Sequence, residues 1–302
     1  MADEIELEVP DHLDGERVDK TIATLLELSR AGAAHVVDFG VMVDGIEAGP
    51  SDRVRAGSVI TCSRPAGVIT LEPEPMELDV LYEDDDLIVV NKPAGVVVHP
   101  GSGRGTGTLA AGLLHRYPEL RGVGAEDRWG LVHRLDRDTS GAILVARRQD
   151  IFDKLKAQME RREISRSYTA LVEGRMAAPT GTIEAPIGRD PSHPTRRAVS
   201  HTGKAARTHF EVEGYFERSD CSLLLVRLET GRTHQIRVHM AAIDHPVVGD
   251  IAYGATRKDL STPRTFLHAS RLLFAHPRTG SRMSVIAPLP EDLTGVLERV
   301  QT

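Results

Sequence analysis

Between His133 and Gly141 lie two carboxylates (Asp136, Asp138), two guanidiniums (Arg134, Arg137) and one imidazole. The apolar run Ala142-Ile143-Leu144-Val145-Ala146 follows at once. A run of that length, rich in β-branched residues, predicts a buried strand. Charges crowded against such a strand are costly to desolvate unless they are paired. The chemistry on offer is that of a carboxylate kept ionised in a pocket by a nearby guanidinium. A solvated Arg/Asp-rich turn is the plainer alternative, and the density of charge beside a core strand argues against it.

The stretch His133-Arg134-Leu135-Asp136-Arg137-Asp138-Thr139-Ser140-Gly141 resembles the signature of the RluA-type pseudouridine synthases. The resemblance continues in Asn91-Lys92-Pro93-Ala94-Gly95 and Arg166-Ser167-Tyr168. It goes on through Gly231-Arg232-Thr233-His234-Gln235-Ile236-Arg237-Val238-His239-Met240 and His245-Pro246-Val247-Val248-Gly249-Asp250. The motifs stand in the family's order, cover roughly Val80 to the C-terminus, and are most similar to the RluD type, which modifies large-subunit ribosomal RNA.

That resemblance implies an isomerase that converts uridine to pseudouridine. The N1–C1′ bond breaks, the base rotates, and a C5–C1′ bond forms. No net redox change or group donor is involved, so no cofactor is expected. Asp136 is the implied catalytic carboxylate, either attacking carbon or removing a proton from C2′. Asp138 is read as a turn or capping residue. Arg237 is the implied partner of Asp136, and Tyr168 the residue that packs on the target base and helps remove the C5 proton. Arg134 would fill the stack vacated by an extruded nucleotide. His133 and Arg232 are candidates for orientation and for phosphate, and Lys92 for supporting a turn.

The positioning elements read as follows. The chain of 302 residues, 40% hydrophobic and 27% charged, suits one large soluble domain plus a smaller one. No apolar run approaches the ~20 residues a membrane helix needs. The acidic N-terminus lacks the regions of a signal peptide. Cys62 and Cys221 are too few for a disulfide framework and read as buried thiols. These features predict a cytoplasmic protein. The net charge of −7 is unevenly spread: residues 1–80 hold 6 Lys+Arg against 17 Asp+Glu, the rest 31 against 27. An acidic appendage on a mildly basic body remains compatible with RNA, since phosphate neutralisation depends on local clusters.

Residues 13–70 read as a small α/β module resembling the S4-like RNA-binding domain. A helix starts at Val18, a second is capped by Ser29, a strand from Val41 runs into an Asp44-Gly45 turn before Ile46, and a further strand spans Val54–Thr61. The second helix carries no Lys or Arg after Arg30, so an orienting role is as plausible as phosphate contact through Arg30, Arg53, Arg55 or Arg64. Residues 71–80, with two prolines, are an extended linker, and 81–302 form the catalytic domain. There, strands are predicted at Leu87–Val90, Tyr168–Val172 and Leu223–Glu229, and helices at Thr108–Tyr117 and Ile151–Glu163. Gly101 to Ala110 is a glycine-rich loop without the context of a dinucleotide fingerprint. The segment around Arg189, Arg196, Arg197, Lys204 and Arg207 suggests a phosphate-gripping hairpin. Gln235–Met240 reads as a strand, with Gln235, Arg237 and His239 on one face. With no tight Cys/His spacing among 13 histidines, no metal is predicted.

The predicted fold is α+β: a mixed, mainly antiparallel sheet with flanking helices, the site in a cleft across it, and a small N-terminal module. RNA, most of all ribosomal RNA, is the predicted partner of a monomer, with neither DNA nor membrane involved. Three other readings stay open at this level: a transfer-RNA pseudouridine synthase, a non-catalytic RNA-binding assembly factor, and an Asp-dependent glycosidase. The last wants two carboxylates flanking the bond, which Asp136 and Asp138, close in sequence, do not promise.

Overall fold

A computed structural model describes the chain except residues 1–3, 27, 29–32, 34, 35, 39, 64–70, 100–105, 125–128, 194, 258, 259, 261 and 302. It forms two compact units, one of residues 1–75 with 99–129, the other of residues 76–98 with 130–302.

In the first unit, Val18, Ile22 and Ala23 of helix α1 (Val18–Leu25) are buried on one stripe. They join an apolar cluster with Val36, Val41, Ile60 and Cys62. Strands β1 (Glu4–Glu8), β2 (Val41–Val43), β3 (Ile46–Glu47) and β4 (Val59–Ser63) make an antiparallel sheet in the order β1-β4-β2-β3. Asp44 and Gly45, both at positive φ, turn β2 into β3, as an Asp-Gly pair favours. Strand β1 was not anticipated, although Glu4-Ile5-Glu6-Leu7-Glu8 alternates in the period of a strand. The predicted Ser29 cap and the glycine-rich 101–105 segment lie outside the described residues. Helix α2 (Leu109–Arg116) starts where Thr108 Oγ1 accepts the Ala111 N–H at 3.2 Å. Both cysteines are buried and neither is in a disulfide.

The second unit is built on a nine-stranded sheet ordered β5-β6-β7-β14-β8-β13-β12-β9, with β15 paired to β14. Its strands are β5 (Asp79–Glu83), β6 (Leu87–Lys92), β7 (Ser140–Ala146), β8 (Ser165–Glu173), β9 (Thr180–Glu184), β12 (Arg207–Phe216), β13 (Cys221–Leu228), β14 (Leu267–Ala275) and β15 (Arg282–Ile286). A separate hairpin pairs β10 (Ile187–Arg189) with β11 (Arg197–Val199). All ladders are antiparallel except β7–β14. Every residue of β7 is buried, as its unbroken apolar run predicts. Gly141, at φ +118°, lies on that parallel ladder; a Cβ there would meet the Ala269 carbonyl oxygen at 2.3 Å. Only glycine lets β7 and β14 approach so closely directly after the charged turn. Helices α3 (Gln149–Glu160), α4 (Gln235–Ala242) and α5 (Glu291–Gln301) complete the unit. The α+β, mainly antiparallel expectation holds. No helix among the described residues is long and apolar enough to cross a membrane.

One element departs from expectation: Gln235–Met240 is helical, not a strand. Ile236 and Val238 favour strands, and the helix buries Gln235, Ile236, Val238, His239 and Met240. Burial on nearly all sides leaves no apolar stripe of period 3.6 to betray the helix. The helix changes which side chains share a face. Gln235 and His239, four apart, both hydrogen-bond Thr208 Oγ1, at 2.9 and 2.8 Å. Arg237 points away from them, to a different set of partners.

Candidate active site

The turn before β7 is pinned by cations that grip its backbone. Asp136 O accepts the Thr139 N–H at 3.2 Å, closing the turn. Lys92 has no exposed surface, and its three N–H groups donate to Pro93 O, Val96 O and Arg137 O at 2.7, 2.8 and 2.9 Å. Gly95 N–H reaches Arg137 O as well. Burial pushes the Lys92 ammonium down to about 7, against the pull of Asp138 and Asp136. On the other side, Arg264 donates to Asp138 O at 3.0 Å and to Ser140 Oγ at 3.0 Å. Ser140 Oγ in turn meets His268 Nδ1 at 2.9 Å. With its backbone fixed from both sides, the turn has little freedom to move the Asp136 carboxylate.

Asp136 is half-buried and faces Arg237, with Nη1 to Oδ2 at 3.5 Å. The guanidinium is itself locked by Asp250, which accepts from Nε at 2.6 Å and from Nη2 at 2.9 Å. Such a two-pronged carboxylate fixes a guanidinium in plane and direction. Arg237 Cζ also lies 4.8 Å from the centre of the Tyr253 ring. Burial works against the Arg237 charge, but Asp250 and Asp136 outweigh it and hold the group more firmly protonated. Asp250 was within a recognised motif but had been given no role. No sequence signal pairs it with an arginine 13 residues earlier.

Tyr168 is buried on β8, and burial above all raises its hydroxyl pKa, with Asp136 adding to the rise and Arg166 opposing it. His133 is a fixed neutral group. Its Nε2 accepts the Leu144 N–H at 3.1 Å, and burial, helped by Arg166, pushes it down to about 3. That ties the turn to β7 and rules the ring out as a proton carrier near neutral pH. Arg134 is exposed, and among the described residues its guanidinium has no partner. Arg232 is exposed and its Nε donates to Ala205 O at 3.0 Å. Asp138 forms a surface pair with Arg137 at 2.9 Å, away from Arg237, which suits the turn role. Asp136 and Arg237 thus face each other, and the Asp136 charge reaches the Tyr168 hydroxyl.

Sequence reasoning missed a hub at Tyr253. Its hydroxyl accepts the Arg197 N–H from β11 at 2.8 Å and meets His234 Nδ1 at 2.7 Å. His234, at φ 58°, is the left-handed residue that starts α4. Gln235 stands in a recognised motif but was given no role. Its side chain holds Thr230, the Arg232 N–H, Arg207 O and Thr208 together. A cluster of three or more His, Cys, Asp or Glu side chains able to hold a metal ion does not occur among the described residues.

Residues 86–242 match the family model described as RNA pseudouridylate synthase. A relative from Chloroflexus aurantiacus, named an uncharacterized RNA pseudouridine synthase, is 47% identical over 99% of this chain and 95% of its own. Two relatives carry the name ribosomal large subunit pseudouridine synthase D. The one from Nitrosomonas europaea is 42% identical over 98% of this chain and 88% of its own, and that from Escherichia coli 39% over 99% and 95%. The solved structure of human RNA pseudouridylate synthase domain containing 1 superposes with a TM-score of 0.58, at 30% identity, over 74% of this chain and 90% of that one. The match spans the charged turn, β8 and Arg237, and the chain belongs to the RNA pseudouridylate synthase family as an RluA-type, RluD-like isomerase.

Proposed function

We propose that this protein isomerises specific uridines of large-subunit ribosomal RNA to pseudouridine, with Asp136 as the catalytic carboxylate. The observation that carries the assignment is the Asp136–Arg237–Asp250 arrangement, in which one buried guanidinium is locked by Asp250 and offers Nη1 to Asp136. The names of the relatives from Nitrosomonas europaea and Escherichia coli support the ribosomal substrate.

In this reading Arg134, exposed at the turn, enters the RNA stack as the target nucleotide swings out, since chemistry on a glycosidic bond inside a stack requires flipping. The Asp136 carboxylate then acts on the sugar while the N1–C1′ bond breaks. The freed uracil rotates against the Tyr168 ring and its C5 bonds to C1′. The C5 proton leaves, N1 gains one, and the product is an isomer with no atom gained or lost. A buried phenol with a raised pKa passes that proton on as a relay and does not take it as a free phenolate. The β10–β11 hairpin, with Arg189, Arg196 and Arg197, grips flanking phosphates. The module within residues 13–70 orients the RNA in S4-like fashion through Arg53 and Arg55, and the protein works in the cytoplasm, where ribosomes are made.

The test is a pseudouridine map of ribosomal and transfer RNA from cells lacking the gene, complemented with wild type or Asp136→Asn. Loss of specific ribosomal sites that return only with wild type is the expected result. Loss confined to transfer RNA would move the substrate. An unchanged map, or rescue by Asp136→Asn, would overturn the assignment.

A further inference from the structure

Strand β8 carries an arginine whose surroundings are the opposite of Arg237's. Arg166 is only 9% exposed. Its Nε is fully buried without a hydrogen-bond partner, and no carboxylate pairs with it among the described residues. A buried guanidinium with no counter-ion is among the costliest groups a fold can hold. The ladder pairs Arg166 with Leu228, so Glu229 is a neighbour in sequence to its partner. Yet Glu229 is already committed to Arg162 at 2.8 Å, Arg207 at 3.5 Å and His209 at 2.7 Å. The local balance is positive, and no group among the described residues answers Arg166.

A second observation concerns Gly231. A Cβ built there would stand 2.7 Å from Arg166 Nη1. Only glycine at this position leaves room beside that end of the guanidinium, which any side chain would fill, while Nε is sealed. Arg166 and Tyr168 stand two residues apart on β8 and so share a face of the strand, and the charge of Arg166 reaches the Tyr168 hydroxyl. A planar fork of N–H donors with no acceptor, open on one edge, matches a phosphate oxygen pair.

We propose that Arg166, left open by Gly231, is an anion subsite that takes one backbone phosphodiester of the substrate RNA next to the target uridine. This rests on the proposed function and deepens it. The apo protein holds an uncompensated charge there, and RNA supplies the counter-ion. Functional sites are where such local conflicts are tolerated.

The experiment uses the full chain, as wild type, Arg166→Met and Arg166→Lys. Without RNA, Arg166→Met should unfold at the same temperature as wild type or higher, because an apolar chain of similar length replaces an unanswered charge. Inorganic phosphate should raise the midpoint of wild type and leave that of Arg166→Met unmoved. With RNA, kcat/KM of Arg166→Met should fall roughly 10- to 100-fold, through KM, the range for a lost charge-assisted contact. Arg166→Lys should recover part of it. Substrates with single methylphosphonate linkages around the uridine should show one position that weakens wild type and not Arg166→Met. A lower melting midpoint for Arg166→Met, or equal losses for both enzymes at every linkage, would make Arg166 structural and overturn the proposal. The phosphate response needs no isomerisation. It therefore survives if wild type proves inactive on RNA, an outcome that would instead strike the proposed function.

Discussion

The N-terminal module and the site-bearing sheet handle charge in opposite ways. Among the module's described residues the ion pairs are local and largely wet: Arg17 with Asp19 at 2.7 Å and Lys20 with Glu16 at 2.6 Å, the cations exposed and the carboxylates partly so. Its interior is an apolar cluster that these pairs do not enter. The second unit buries Lys92 at 0%, Asp250 at 1% and His133 at 7% exposure, and it aligns Arg237 between two carboxylates. The first pattern is what a soluble fold does by default. The second conflicts with that default, and its buried charges are either fully answered, as Arg237 and Lys92 are, or left open, as Arg166 is. If the contrast marks function, removing single charges should have large and specific effects in one region and almost none in the other.

The largest effect is expected from Asp136→Asn. The amide keeps the shape and can still meet Arg237, so the thermal midpoint should move by no more than about 3 °C. Turnover should fall on the order of 10³-fold or more, the scale seen when a reacting group is lost. Single-turnover isomerisation of a substrate RNA measures it. Residual activity within about tenfold of wild type would remove Asp136 from the centre of the contrast.

Arg237→Met tests the answered charge. It leaves Asp250 buried with no counter-ion and Asp136 facing it, which should cost about 3–5 kcal/mol of stability and abolish turnover. Arg237→Lys keeps the charge but loses the two-pronged contact, and should fall between. Urea unfolding followed by circular dichroism reads both. A stable, inactive Arg237→Met would mean that the guanidinium serves the reaction and not the fold.

Lys92 adds a pH signature. Its pKa in the folded protein is about 7, against 10.5 for the free side chain. Between these values the unfolded chain keeps a proton that the native state has released. The group therefore makes stability rise with pH across that window, by up to about 1.4 kcal/mol per unit. Below pH 7 both states are protonated and the group adds no slope. Lys92→Met removes the titration and strips three carbonyls of their donor, costing about 2–4 kcal/mol near neutral pH. Plotted against pH, wild type should climb away from Lys92→Met between pH 7 and 10. Parallel curves would show that the ammonium stays charged throughout.

Which features were legible in the sequence follows from the range of the interactions. The charged turn and β7 are contiguous, so residue order alone exposes them. Resemblance brought Arg237 and Tyr168 to Asp136, and the 3.5 Å approach of Arg237 agrees with that pairing. Asp250 and Tyr253 act on Arg237 across a fold, with nothing periodic to mark them. Resemblance gave Lys92 a turn-supporting role, but its burial and its three acceptors could not be read, because those are backbone carbonyls that no side-chain pattern encodes. Helix α4 was misread because burial on most sides erases helical periodicity. Strand β1 was overlooked for another reason: its glutamates drew attention as charge, when their alternation with Ile5 and Leu7 was the structural signal.

Tyr253→Phe is a finer probe. It keeps the ring over Arg237 but removes the hydroxyl that joins the Arg197 N–H to His234. Stability should drop by about 1 kcal/mol. If the β10–β11 hairpin grips RNA, KM should rise several-fold with kcat little changed, because the ring that backs Arg237 is intact. A fall in kcat at constant KM would show instead that the hydroxyl tunes His234 and Arg237, not the hairpin.

The smallest effect belongs to the module. Glu16→Gln with Lys20→Gln removes an exposed pair one helical turn apart. Such pairs gain little in water and hold two flexible side chains in place to do so. The thermal midpoint should therefore shift by no more than about 1 °C, and kcat/KM on RNA should be unchanged at every salt concentration. A several-fold change in kcat/KM that disappears at high salt, with the midpoint fixed, would place this acidic surface in the path of the RNA. The contrast would then run between two kinds of functional charge, one buried and aligned, the other exposed and steering.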